Sequence, residues 1–251
     1  MDVLHVVLVA AAACAAGVIN AIAGGGSLIT FPVLIASGIP PVIASMTNTV
    51  AMCPGYLGAT YAQRKELAGQ GGRAMRILPF AVAGSVAGSA ILLRTSNRSF
   101  ETIVPFLLVF AAALLAVQGR VRRYLTTGHH HAARSIFLAG IPIALASVYG
   151  AYFGAGLGVI LLAVLGAVLD DTLARANAMK QVISLLVNVL AAGIYIAIGT
   201  IHWQSTIAIA VGSLVGGLLG GMLVSRIREI WLRGLAIVVA LVVAGVYFAK
   251  L

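Results

Sequence analysis

Charge is what this sequence has least of. Asp, Glu, Lys and Arg make up 9% of its 251 residues, and only six are acids; soluble domains carry about 25% charged residues. None of the four types occurs in residues 3–63 or in 181–225. That scarcity excludes a water-soluble globular domain and leaves an integral membrane protein. Strand-type alternation is also missing, while Ala, Leu, Val, Ile and Gly dominate, so the spans read as helices and not as barrel strands. The two cysteines, Cys14 and Cys53, both lie in apolar runs. They read as small core hydrophobes and exclude a disulfide framework.

Further absences narrow the chemistry. No Asp or Glu falls in the middle of a span, so a carboxylate relay through the membrane cannot be built. The sequence has no H-E-x-x-H, no G-x-S-x-G and no acid pair at depth, which speaks against an enzyme. No P-loop is present, so movement of a solute would be coupled to a gradient or run as exchange. "GAGLG" (154–158) is no dinucleotide fingerprint, since no strand precedes it and no acid follows at the needed distance. His129–His131 follow a cluster of arginines and read as a lipid-facing loop, so neither metal nor cofactor is expected. The N-terminus lacks a basic n-region and a cleavage pattern, and is not expected to be a removable signal.

The net charge of +10 sits in short clusters between apolar runs, as the positive-inside rule produces, and not in a module for nucleic acid. Loop 63–76 carries Arg64, Lys65, Arg73 and Arg76 against Glu66. Loop 119–134 carries Arg120, Arg122, Arg123 and Arg134, and loop 226–233 carries Arg226, Arg228 and Arg233 against Glu229. All three are expected on the cytoplasmic side, with loops 95–101 and 200–204 opposite.

Spans are expected at 3–23, 42–62, 76–94, 102–118, 135–153, 181–199 (opening near Leu173), 205–225 and 231–250. Two shorter apolar pieces, 27–37 and 158–169, each follow a glycine-rich stretch. At about 1.5 Å per residue they reach half a bilayer. Parity requires each to complete a crossing with its unwound neighbours, giving five crossings in residues 1–118 and five in 135–251, joined by the basic linker 119–134. An odd count turns the halves upside down relative to each other. "GGGSLITFPVLIASGIPPVIASMTNTV" (24–50) is similar to "GLGVILLAVLGAVLDDTLARANAM" (156–179), and inverted repeats with paired broken helices are the pattern of a secondary transporter.

Broken backbone at membrane depth is tolerated only where protein covers it or a wet cavity borders it. Glycine brings N–H groups close to a ligand, and the helix starting after the break aims its positive end at the same place. The expected anion site therefore takes Gly24, Gly25, Gly26 and Ser27 from one break and Gly154, Gly156 and Gly158 from the other. Packing of small residues is the competing reading, and it suffices for Gly84 and Gly88. Thr47, Asn48, Asn177 and Gln181 read either as interhelical hydrogen-bond glue or as donors to the anion. Ser27 would also cap its half-helix. Lys180 would supply a fixed positive charge or snorkel to the surface. Asp170 and Asp171 read as a solvated loop that caps the next helix, with Arg175 as their partner or lining the entry. Trp203 and Trp231 read as interfacial anchors, and Pro54 as a bending point.

The segment "NAIAGGGSLITFPVLIASGIPPVIASMTNTVAMCPG" resembles the first signature of the TauE/SafE sulfite exporter (TSUP) family. The matching positions are Gly24–Gly26, Pro32, Gly38–Pro41, Ala44, Thr47 and Asn48. In the second copy "GAGLG" replaces the unbroken glycine run, no Pro follows, and Ala176 stands before Asn177. The resemblance implies transport of small sulfur-containing anions such as sulfite or organosulfonates, often outward, across a bacterial inner membrane. The expected partners are a small anion and the lipid bilayer, and no nucleic acid. A coupling proton or sodium ion and a homodimer remain open; a proton would travel on the substrate, on His202 or through the 170–171 loop. An anion channel or a membrane-embedded enzyme is the alternative reading.

Overall fold

The computed structural model describes residues 3–127, 136–168, 171–223 and 229–249, and within them the chain is all-helical. The first half holds α1 (Val3–Ile22), α2 (Ser27–Ala36), α3 (Pro41–Ala62), α4 (Gly71–Arg94) and α5 (Asn97–Thr127), with a 3₁₀ turn at Arg64–Leu67. The second holds α6 (Ile136–Tyr152), α7 (Leu157–Val168), α8 (Leu173–Ile198), α9 (Trp203–Leu223) and α10 (Glu229–Phe248). Both short pieces are separate helices, and α3 runs unbroken through Pro54.

Several boundaries differ from expectation, among them the start of α5, which takes in Asn97–Glu101 of the expected loop. Helix α5 continues to Thr127, well into the stretch read as linker, because Arg120, Arg122 and Arg123 favour helix and no Pro intervenes. Helix α4 starts at Gly71, a turn before its apolar run begins. His129–His131, Arg134, Asp170, Arg226 and Arg228 lie outside the described residues, as do the side chains of Arg122, Arg123, Trp231 and Arg233.

Large apolar side chains cover the outside as well as the core, as a bilayer solvent demands. Val86, Phe106, Ile141, Ile207 and Val211 face outward, while Asn20, Thr47, Asn48, Asn177, Lys180, Gln181 and Asn188 are buried. Helices α4 and α8–α9, with Asn97–Arg120 of α5, are each long and apolar enough to cross a membrane.

The packing repeats itself between the halves. Helix α1 lies along α9, and its counterpart α6 lies along α4; α3 meets α8, and α5 meets α10. The contacts use glycines at matching places. A Cβ on Gly212 or Gly216 of α9 would lie 2.2 Å from the Ala10 carbonyl oxygen or 2.0 Å from that of Cys14. On α4, a Cβ on Gly84 or Gly88 would lie 2.2 Å from the carbonyl oxygen of Ala144 or Val148. Only glycine lets these backbones approach so closely.

Both contacts advance in the same direction along the two chains, so α1 runs parallel to α9, and α6 to α4. Helix α4 leaves the basic loop 63–70, where Gln70 Nε2 donates to the Arg175 carbonyl (3.1 Å). Helix α9 leaves the other end, where the His202 N–H donates to Thr47 Oγ1 (3.1 Å). Helices α1 and α6 therefore run in opposite directions. The repeats are inverted, and each half contributes a helix to the other's bundle.

Candidate functional site

The two interruptions share one backbone solution. Gly24 and Gly154 take φ +83° and +82°, a left-handed conformation that suits glycine. Each closes its preceding helix, Gly24 N donating to Ile19 O (3.1 Å) and Gly154 N to Tyr149 O (3.3 Å). The next helices then start at once, with Ile29 N donating to Gly26 O (2.9 Å) and Val159 N to Gly156 O (3.0 Å).

The breaks meet. A Cβ on Gly24 would stand 2.6 Å from Gly158 Cα, and Ser27 Oγ lies 3.9 Å from where a Gly154 Cβ would be. Both breaks press on the middle of α5: Leu115 covers Gly25, and Ala111 and Leu114 flank Gly156. Edge-on rings brace the junction, Phe31 of α2 against Phe153 of the opposite break, with centroids 5.2 Å apart. The N-terminal ends of α2 and α7 thus converge at the centre of the bundle. Among the described residues, the N–H groups of Gly25, Gly26, Ser27, Ala155, Gly156 and Gly158 donate to no carbonyl. Helix starts with open donors are anion sites in waiting.

Lys180 completes this centre. Its side chain is 1% exposed, and its Cδ lies 3.4 Å from a Cβ position on Gly158. It does not snorkel: the stem packs on the second break, one turn beyond Asn177.

The other expected residues hold the junction in place. The amides of Asn177 and Gln181 both donate to Ala21 O at the end of α1 (3.3 and 2.8 Å). Asn177 also donates to Gln63 Oε1 (2.7 Å). Asn48 accepts from Thr30 Oγ1 one turn into α2, and Thr47 holds the 202 backbone. Ser27 differs from expectation: Gly26 occupies the N-cap position with helical φ and ψ, and no side chain caps α2. The Ser27 hydroxyl is left facing the opposite break.

At the basic end, Asp171 Oδ2 accepts from Arg73 Nη1 at 2.7 Å and from Arg175 Nε at 3.0 Å, while Oδ1 accepts from the Thr172 N–H at 2.9 Å. Burial alone would push this carboxyl up. Hydrogen bonds from Arg175, the Thr172 N–H and Arg73 outweigh it and hold the group below its ordinary 3.8. The cap of α8 is Thr172, whose hydroxyl accepts from Arg175 N.

Sequence reasoning missed Thr60, Gln63, Ser184, Asn188, Tyr56 and Asn20. Tyr56 faces the amides of Asn20 and Asn188. The signal was present: Asn177, Gln181, Ser184 and Asn188 recur at helical spacing on one face of α8. A cleft of about 600 Å³ between α2, α5 and α10, lined by Pro32, Ile35, Glu101 and Tyr247, contains none of the junction residues. Among the described residues no group of His, Cys, Asp and Glu could hold a metal.

Comparison with known proteins gives a family and relatives named as membrane transporters. A family model described as Sulfite exporter TauE/SafE matches residues 9–247. The Probable membrane transporter protein YfcA of Escherichia coli K12 is 25% identical over 92% of this chain and 84% of its own length. A Probable membrane transporter protein of Haemophilus influenzae is 27% identical over 80% of this chain and 78% of its own. The Probable membrane transporter protein ORF9 of Sinorhizobium sp. is 27% identical over 82% and 77%. No solved structure matches.

Proposed function

The chain belongs to the sulfite exporter TauE/SafE family and is a membrane transporter of that type; on that premise we propose that it carries a small sulfur-containing oxyanion, such as sulfite or an organosulfonate, outward by alternating access. The observation that carries this reading is the convergence of two helix starts, with open backbone donors, beside a buried lysine. Oxyanion oxygens would accept from the N–H groups of Gly25, Gly26, Ser27, Ala155, Gly156 and Gly158, with the Ser27 hydroxyl adding a further donor. Lys180 would balance the charge. Asn48, Asn177 and Gln181 would position the breaks.

Gly24 and Gly158 serve by being small, since side chains there would push the two N-termini apart, and Gly154 serves by its left-handed φ of +82°. A carrier of this kind exposes one fixed site to each side in turn as inverted halves rock against each other. Lys180 is the one charged residue among the buried side chains described, which suits an anion better than a cation. A coupling proton would ride on the substrate or on His202. The membrane is the inner membrane of a bacterium, with the basic end cytoplasmic.

Purified protein in proteoliposomes loaded with sulfite or sulfoacetate tests this. Saturable uptake of the labelled anion, accelerated by the same anion inside, is the expected result. Flux without counterflow would make the protein a channel, and chemical conversion of the anion would make it an enzyme.

A further inference from the structure

Five buried polar atoms have no hydrogen-bond partner among the described residues and share one seam: Thr60 Oγ1, Gln63 Nε2, Asn177 Oδ1, Gln181 Oε1 and Ser184 Oγ. Thr60 and Gln63 close the last turn of α3. Asn177, Gln181 and Ser184 lie on one face of α8, and that face is pinned to the end of α1 through Ala21 O and to α3 through Gln63. The seam runs between α1, α3 and α8, from the basic end past the level of Lys180.

Its pseudo-symmetric counterpart lies between α6, α3 and α8 at the other end, and there the polar groups are paired. Ser45 Oγ donates to Tyr152 O (3.1 Å), Thr49 Oγ1 to Ser45 O (3.0 Å) and Tyr195 OH to Ala151 O (2.7 Å). One seam is closed with its hydrogen bonds made; the other is closed with several unmade. Buried donors and acceptors without partners are costly, and entering water relieves them.

We propose that the seam between α1, α3 and α8 is the cytoplasmic gate of the transport path. It opens when α8 parts from α1 and α3 along Asn177, Gln181 and Ser184, admitting water and the oxyanion to the glycine junction. Its lining of neutral amides and hydroxyls passes an anion without trapping it. Arg64, Lys65, Arg73 and Arg175 outnumber Glu66 and Asp171 at its mouth, leaving a positive rim that draws anions in. The structure then has both gates shut, with the inner one poised to open first. This rests on the reading of the junction as the anion site.

The test uses the full chain with Cys14 and Cys53 replaced by Ala and single cysteines introduced as T60C, S184C or, in the opposite seam, T49C. A membrane-impermeant anionic methanethiosulfonate is applied to inverted and to right-side-out vesicles. T60C and S184C are expected to react several-fold faster from the cytoplasmic face, while T49C does not. No reaction from either face in protein that still transports, or reaction from the opposite face alone, overturns the gate.

Stability gives a second reading. S184A and T60V remove an unsatisfied hydroxyl from the closed state, so they should raise the melting temperature and slow transport. A fall as large as that of S45A, whose hydroxyl is paired, would make the seam static core. Slowing of the thiol reaction by sulfoacetate reports on the junction separately: sidedness without protection keeps the gate and removes the anion site.

Discussion

Gly24 and Gly158 stand so close that a Cβ built on either lies 2.6 Å from the Cα of the other. They come from opposite halves of the chain, and this contact sets the distance between the N-termini of α2 and α7. Two breaks that pack on each other at the centre of an inverted repeat form one junction, not two isolated irregularities.

Gly24→Ala should therefore be among the most damaging small substitutions. It meets both a left-handed φ, costing about 1–3 kcal/mol, and backbone overlap, costing about 1–3 kcal/mol more. Gly38→Ala is the control, with φ +80° but nothing within 4 Å, and should lose only the conformational part. Thermal denaturation in detergent separates the two.

Lys180→Met keeps length and apolar stem while removing the charge. The expected loss is that of a charge-assisted hydrogen bond, about 1.5–3 kcal/mol of anion binding, or roughly ten- to a hundred-fold in Kd. Titration calorimetry with sulfite or sulfoacetate measures it. Unchanged affinity would remove Lys180 from the site.

The inverted packing predicts matched sensitivities. Gly216→Ala would put a Cβ 2.0 Å from the Cys14 carbonyl oxygen and Gly88→Ala one 2.2 Å from that of Val148, so each should cost about 1–3 kcal/mol. Gly234 and Gly245 of α10 have nothing within 4 Å, and alanine there should stabilise by about 0.5–1 kcal/mol. Melting temperatures of the four variants decide it.

Asp171 gives a pH dependence of known sign. Its folded-state pKa is lowered, so its contribution is complete above the unfolded value near 3.9 and fades as pH falls through the folded one. Asp171→Asn should lower the melting temperature at neutral pH, with the gap to wild type shrinking below about pH 4. Arg73 is 40% exposed, so salt should weaken the effect.

The fold was largely legible because bilayer physics leaves few options. Runs free of charge located the spans, and Gly24–Gly26 marked a break that a simple span does not need. The partners across the junction were less visible. That Gly24 meets Gly158, or that Asn177 and Gln181 grip Ala21, depends on how α1 and α8 come together, and no local pattern encodes it. Ser27 was misread as a cap because residue type alone does not reveal that Gly26 already has helical dihedrals. Thr60 and Gln63 were overlooked because Thr and Gln at a span end resemble ordinary surface polarity, and Ser184 because a lone Ser inside a span resembles packing, until two stripes face each other.

The most direct measurement is the melting temperature of the detergent-solubilised protein in sulfite, sulfoacetate, taurine, isethionate, sulfate and carboxylates, for wild type and Gly25→Leu. A bound ligand at a hundred times its Kd adds about 2.7 kcal/mol to the folded state. A sulfur oxyanion is expected to raise the wild-type transition and to leave folded Gly25→Leu unmoved, since a Cβ at Gly25 already lies 2.4 Å from Leu115 of α5 and a leucine there would displace the first helix start. An equal shift in both proteins, or none with any anion, would contradict it.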